Sequence, residues 1–367
     1  MLITLARSLD RRRVTPVVAC LKEPGHLAPE LQEAGVAVHA DLLRHRADVF
    51  AIDRLVRLLR QERIDVVCPV GSGGDRMFWS VLAARQAGSA CVVWSHVYPT
   101  RAHPGFERAN RALYRSVDRF VALGARHRQA LIWLENVPAG RVDVIRNGID
   151  VDAYDRPDLR KEARRRLGLD GDGAVAVAIV ANLRPEKRHD VFIEAARRLA
   201  HRYPQAVFYV IGSGPEEASV LAWAAQSGLR SRRLRLLGQR EDVRVLMQGL
   251  DIVCLCSAWQ ECLSIVMLEA MAAGRAFVGP AIGSLDEAVV DGQTGRLVRP
   301  ADPDSLERAV DELIADPAQR TAMGQRARAK VRAEFRTEHM ARAFERLVGH
   351  LRRTRCGGRG WGGPGTA

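Results

Sequence analysis

From Val14 onward, short β-branched runs alternate with longer amphipathic segments. In the first half the runs VTPVVACL (14 to 21), VAVH (36 to 39), IDVVCPV (64 to 70), CVVWS (91 to 95), DRFVAL (118 to 123) and VDVIR (142 to 146) read as strands. Segments 48–62, 75–87 and 106–116 between them carry apolar positions at helical spacing. That rhythm predicts βαβ units on a parallel sheet covered by helices on both faces. The stretch NGIDVDAYDRPDLR (147 to 160) interrupts it with Asn, Gly, Asp and Pro and reads as an interdomain linker.

A second series follows, with strands AVAVAIV (174 to 180), AVFYVIG (206 to 212), RLRLLG (233 to 238), DIVCLC (251 to 256) and AFVG (276 to 279). Helical patterns lie at about 188–202, 215–227, 241–249 and 263–273, so a second doubly wound domain is expected. After Pro300 the pattern is helical to about Arg352, and the glycine-rich end GGRGWGGPGTA is expected to be disordered. The domain plan is therefore 1–146, a linker at 147–160, a second domain at 161–335, a helix at 336–352 crossing back to the first domain, and a tail at 353–367.

The opening MLITLARSLDRRR carries Leu2, Leu5, Ala6 and Leu9 at helical spacing and lacks a small-residue cleavage site, which predicts a core-facing helix and not a signal peptide. A doubly wound domain ordinarily opens with a strand and a glycine-rich turn. This chain opens on what reads as the helix after that turn, so the expectation is a missing first strand. Met1 would then be internal to a protein starting roughly fifteen to twenty-five residues earlier.

At 367 residues, with 47% hydrophobic and 27% charged, the chain has the length and balance of two folded domains. The formal charge of +13 comes almost wholly from arginine, with lysine only at Lys22, Lys161, Lys187 and Lys330. It does not by itself imply nucleic acid, and none is expected; contact with an anionic membrane surface suits the charge better. Of the seven cysteines, most lie in apolar runs and read as free thiols in a reducing cytoplasm. Cys254 and Cys256 are too close on one strand for a usual metal pair, so neither metal nor cofactor is expected. No run of eighteen apolar residues is present to span a membrane.

Candidate chemistry gathers after two strands of the second series. In VANLRPEKRHDVFIEAA (180 to 196) a strand gives way to a helix near Arg188, and ligands of open α/β sheets bind beyond the carboxyl ends of strands. Arg184 and Lys187 there suit a diphosphate or serve as ordinary surface charge. In SAWQECLSIVMLEAMAAG (257 to 274) a helix is expected from Leu263 or Ser264, its first amides from Cys262 to Ile265 forming an anion site. Glu261 precedes that helix and Glu269 lies inside it, seven residues between. Each carboxylate can accept bonds from paired sugar or ribose hydroxyls; otherwise Glu261 compensates the helix dipole and Glu269 joins a surface ion pair.

ANLRPEK, IGSGP (211 to 215), ECLSIVMLEAMAAG, AVVDGQTGRLVRPADPDSL (288 to 306) and RNGIDVDAY (146 to 154) together resemble the retaining glycosyltransferases of family four. The resemblance covers roughly residues 1–345 and implies the GT-B fold, two Rossmann-like doubly wound α/β domains facing a central cleft. It implies a nucleotide-sugar donor and a glycan, lipid-linked or small-molecule acceptor, with no bound metal. Residue by residue, it implies that Arg184 and Lys187 neutralise the diphosphate, that Glu261 holds sugar hydroxyls and that Glu269 binds ribose. Backbone around Leu263 and Ser264 would meet phosphate, and Gly212 and Gly214 would let the chain pass close to the nucleotide. His96, after the strand CVVWS, resembles the histidine that faces the donor sugar. Gly73, Gly74 and Asp75 of GSGGD (71 to 75) resemble a segment lining the acceptor side. The family usually has Gly-Phe after the first glutamate; Cys262-Leu263 stands here, which leaves the sugar open. The alternatives are a nucleotide-sugar-binding remnant with weak catalysis, and a sugar-nucleotide epimerase on the same fold.

Overall fold

The computed structural model describes residues 1–25, 27–45, 48–71, 74–96, 111–169, 173–259 and 261–356. The chain forms two compact units, one from Met1–Gly148 with the terminal helix that starts at Thr337, the other from Ile149–Arg336.

The second unit is built on six parallel strands in the order β9-β8-β7-β10-β11-β12. They are β7 (Val175–Val180), β8 (Ala206–Ile211), β9 (Leu234–Gly238), β10 (Ile252–Cys254), β11 (Ala276–Pro280) and β12 (Arg296–Val298). Every residue of β7 and β8 is buried, which is why both read as continuous apolar runs and not as alternating ones. The order reverses between β7 and β10, which creates a crevice at the carboxyl ends of those two strands. Helices His189–Arg202 and Pro303–Ala315 cover the sheet with one core that includes Phe192, Phe208, Leu199 and Leu313. Asp302 and Asp316 cap Pro303–Ala315 and Pro317–Glu334, each accepting backbone N–H bonds, with proline in the first turn.

The expected linker is folded into this unit. Val151 and Tyr154 of the short helix Val151–Tyr154 are buried, and Asp150 caps it by accepting from the Ala153 amide at 3.1 Å. β12 was hidden in the sequence inside the glycine- and proline-rich run around it.

In the first unit all strand pairs are parallel but the sheet is interrupted. β1 (Val17–Ala19) pairs with β2 (Ala37–His39), and β3 (Val66–Val67), β4 (Ala90–Trp94), β5 (Arg119–Ala122) and β6 (Val142–Val144) form a separate four-stranded sheet. The opening residues form the expected helix, Leu2–Ser8, with Leu5 and Ala6 buried. β4 is buried throughout, and its Trp94 stacks on Phe344 of the terminal helix, ring centroids 5.2 Å apart.

Candidate functional site

The loops leaving β7 and β10 meet at the crevice of the second unit. After β7 the chain turns through Pro185–Lys187 and passes Arg188, whose φ of +49° lies in the left-handed region, into helix His189–Arg202. That turn delivers the Lys187 ammonium to the carboxylate of Glu261 in the loop after β10. Ser257 Oγ donates to the same Glu261 oxygen at 2.8 Å, and the Ala258 amide donates to the Glu186 carbonyl at 2.9 Å, tying the two loops together. Arg184 stays solvent-facing, 59% exposed, with Glu186 4.0 Å away.

The helix after β10 starts at Ile265 and runs to Ala272, its N-cap Ser264 accepting from the Met267 amide at 3.4 Å. Ser264 thus ends the loop and orients the positive end of the helix dipole at the same crevice. Cys262 and Leu263 are buried just before it, and burial pushes the Cys262 thiol up, which makes it a packing residue and not a nucleophile. The amides of Cys262 and Leu263 were expected to be open for an anion; both residues have interactions of their own in the structure.

Glu269 lies apart from Glu261. Tyr154 Oη donates to Glu269 Oε1 at 2.6 Å, and the Arg244 guanidinium sits over the Tyr154 ring at 5.5 Å. Burial raises the Glu269 carboxyl above its ordinary range, while the Tyr154 bond and Arg244 oppose the rise. The carboxylate is therefore not a member of a surface ion pair, and nothing local in the sequence pointed to Tyr154 as its partner.

Gly212 and Gly214 follow β8 with φ of +146° and +158°. A Cβ on Gly212 would fall 2.0 Å from the Ala181 carbonyl oxygen, and one on Gly214 would fall 2.5 Å from that of Leu183. These glycines are required by the approach of one loop to another, and need no nucleotide to explain them. Gly283, unremarked in the sequence, has the same character: φ is +59°, a Cβ would lie 2.0 Å from the Glu261 carbonyl oxygen, and the Ser284 amide donates to the Cys262 carbonyl at 2.8 Å. The loop after β11 is thus the seat on which Glu261 rests.

In the first unit, His96 follows β4 and stacks on Trp94 with ring centroids 5.7 Å apart. Its pKa is pushed down to about 4, first by burial, then by the amino-terminal charge and by His127. His127, missed in the sequence, is fully buried, its Nδ1 accepting from the Leu123 amide at 3.1 Å and its Nε2 3.3 Å from Ser95 Oγ. With Nδ1 accepting, a neutral ring carries its proton on Nε2 and donates it to Ser95. Gly74, at φ +70°, opens helix Gly74–Ala87 with Asp75 in its first turn; Gly73 lies outside the described residues. Among the described residues no cluster of three or more His, Cys, Asp or Glu could hold a metal ion, and no helix is long and apolar enough to cross a membrane.

Residues 160–330 match the family model for glycosyl transferases group 1, and residues 1–153 match that for glycosyltransferase family 4. The chain belongs to the family-four glycosyltransferases. Among curated relatives of this chain, D-inositol 3-phosphate glycosyltransferase of Mycobacterium avium is 32% identical over 234 residues, 62% of this chain and 53% of the relative. The Nocardia farcinica protein of the same name is also 32% identical, over 244 residues, 64% of this chain and 53% of the relative. The chain spans about half the length of the curated relatives it matches. Of solved structures, Anabaena HepE in complex with UDP and glucose superposes with a TM-score of 0.82 at 21% identity, covering 95% of this chain and 94% of that one. A glycosyltransferase from Rickettsia africae gives 0.81 at 18% identity, covering 95% and 93%. These likenesses show the GT-B fold.

Proposed function

We propose that this glycosyltransferase moves a sugar from a nucleotide diphosphate donor to a hydroxyl acceptor, with retention at the anomeric carbon. The observation that supports the reading is the meeting of Lys187, Glu261 and Ser257 with the Ser264-capped helix start at the point where the strand order reverses. Lys187 and Glu261 meet there beside the start of helix Ile265–Ala272.

In the proposed reaction the bond between the anomeric carbon and the terminal phosphate oxygen breaks as the acceptor oxygen bonds to the same face. The acceptor proton passes to the departing phosphate, and the products are a glycoside and a nucleoside diphosphate. Arg184, which is exposed, and Lys187 stabilise the charge that develops on the leaving diphosphate, and the helix dipole adds to them. Lys187 must share its charge between Glu261 and the donor, so donor binding loosens that pair and frees Glu261 to accept sugar hydroxyls. Glu269, with Tyr154 beside it, takes the ribose. Anabaena HepE, of the same fold, is solved in complex with UDP-glucose, which makes UDP-sugars the first donors to try.

The experiment is a panel of UDP-, GDP- and ADP-sugars assayed for donor hydrolysis and for transfer. Release of nucleoside diphosphate with an α-linked product from an α-linked donor supports the reading; an isomerised free or nucleotide-bound sugar, or no binding of any member by calorimetry, overturns it.

A further inference from the structure

One residue at the crevice breaks two local rules at once. Arg188 ends the turn Pro185–Lys187 and starts helix His189–Arg202, with φ of +49° and ψ of +57° in the left-handed region. That conformation is unfavourable for any residue with a Cβ, and at the end of a helical turn it ordinarily falls to glycine or asparagine. The first position of a helix ordinarily takes Ser, Thr, Asp, Asn or Gly, and Arg188 makes no side-chain cap bond. Glycine would satisfy both rules; arginine satisfies neither. Local rules are broken in this way chiefly where function demands it.

The left-handed step separates two side chains with different destinations. Lys187, just before it, reaches the carboxylate of Glu261, while His189, just after it, is 1% exposed. The Arg188 side chain closes over the same step. Its Nε donates to Asp190 Oδ1 at 2.9 Å and its Nη2 to Asp190 Oδ2 at 2.7 Å, a bidentate clasp across the helix start. The chain holds two further bidentate pairs of this spacing, Arg156 with Asp158 and Arg240 with Asp242, and neither arginine has a positive φ. Such a pair therefore forms on ordinary backbone, and the left-handed turn at Arg188 is not a by-product of the clasp.

We propose that Arg188 and Asp190 are positioning residues of the donor site, a role that rests on the reading of Lys187 as the diphosphate contact. Their clasp holds the backbone in the left-handed turn that presents Lys187 to Glu261, and does with side-chain bonds what glycine would do by conformational freedom. Both act through Lys187 and not on the donor. Asp190 is then needed only because residue 188 carries a side chain.

The test uses the full chain with Asp190→Asn, Arg188→Gly and the two combined, and Asp158→Asn as the control that breaks a like pair outside the crevice loops. Calorimetry with UDP reads the donor site, and the thermal unfolding midpoint reads the hold on Lys187 without any ligand. Asp190→Asn is expected to weaken UDP binding about fivefold and to lower the midpoint by about 3 °C. On top of Arg188→Gly, the same change should weaken UDP by less than about twofold and lower the midpoint by only about 1 °C, the share that Asp190 owes to the helix dipole. On top of Lys187→Ala its midpoint loss should likewise shrink to about 1 °C, because the ion pair that the clasp holds in place is gone. Asp158→Asn should leave UDP affinity unchanged. Equal loss of UDP affinity from Asp190→Asn with and without Arg188→Gly overturns the proposal, since Asp190 would then act by its charge alone. A midpoint loss that is the same with and without Lys187→Ala overturns it too, as does parent-like behaviour of Asp190→Asn in both readouts. A parent chain that binds no UDP overturns the proposed function instead, and the midpoints still decide whether the clasp holds Lys187.

Discussion

Lys187 and Glu261 are 74 residues apart in sequence and meet as an ion pair between the loops after β7 and β10, with side-chain exposures of 20% and 8%. Neither loop alone makes the site; the reversal of strand order between β7 and β10 brings them together. Arg184, three residues before Lys187, shares its charge but not its burial.

The two cations should therefore fail differently. Lys187→Ala leaves the Glu261 carboxylate buried with, among the described residues, the Ser257 hydroxyl to bond it, so we expect a stability loss of about 3 kcal/mol together with weaker UDP binding. Arg184→Ala removes an exposed side chain and should leave stability within about 0.5 kcal/mol. Both should lower transfer by about a hundredfold. Urea unfolding, calorimetry with UDP and a turnover assay check this; unchanged nucleotide affinity in both variants would sink the donor-site assignment.

Glu261→Gln should lower turnover with the intact donor more than affinity for the free nucleotide, while Glu269→Gln should mainly weaken nucleotide binding. Glu269 also carries a pH signature. Its folded pKa is raised, so between the ordinary carboxylate value and the raised one the folded state holds more protons than the unfolded, and stability falls as pH rises through that window. Glu269→Gln should remove this slope. Tyr154→Phe deletes the bond that favours the ionised form, so it should move the window to higher pH. Unfolding midpoints between about pH 4 and pH 7 decide it, and an unchanged profile in Glu269→Gln would refute the coupling.

Much of this arrangement was legible in the sequence because burial of a parallel strand leaves a continuous apolar run. β7 and β8 were read to within a residue for that reason. β12 was not, since Arg296–Val298 is short and sits among turn residues. The stretch 147–160 was read as a linker from its Asn, Gly and Pro, yet Val151 and Tyr154, three residues apart on one helical face, were a sign that it packs. The partner of Glu269 was out of reach, because Tyr154 lies 115 residues away and no local pattern reports a contact at that distance. His127 was hidden in a helix without a clear apolar face, where its distinction is complete burial.

His96 and His189 should make the protein sensitive to mild acid. Burial pushes both to about 4. Both folded pKa values lie below the unfolded one, so the unfolded state binds more protons between about 6.5 and about 4, and stability is lost as pH falls through that window. The contribution is about 3 kcal/mol for each. His96→Gln and His189→Gln should each flatten the fall of the unfolding midpoint between pH 6.5 and pH 4. A profile as steep as that of the parent in both variants would show that neither ring is held neutral.

Gly283 offers the sharpest test of how Glu261 is held, because a matched control exists in the same chain. Gly283 and Gly292 both lie in the left-handed region, at φ +59° and +73°, so alanine at either position meets the same backbone strain of about 1 kcal/mol. They differ in what the new methyl meets. At Gly292 no atom lies within 4 Å, whereas at Gly283 the Cβ would sit 2.0 Å from the Glu261 carbonyl oxygen and 3.0 Å from that of Cys262. That contact cannot persist, and the obstacle is backbone, so the loop of Glu261 must move away from the loop after β11 and break the Ser284 amide bond to Cys262. A displaced Glu261 carries its carboxylate away from Lys187 and Ser257, and loosely held catalytic groups lose rate steeply. We therefore expect Gly292→Ala to cost about 1 kcal/mol with transfer unchanged. Gly283→Ala should cost about 2 to 4 kcal/mol and reduce transfer by about a hundredfold. Parallel measurement of unfolding free energy and transfer rate in the two variants separates strain from displacement. Equal stability and equal activity in both would mean that the loop after β11 does not position Glu261.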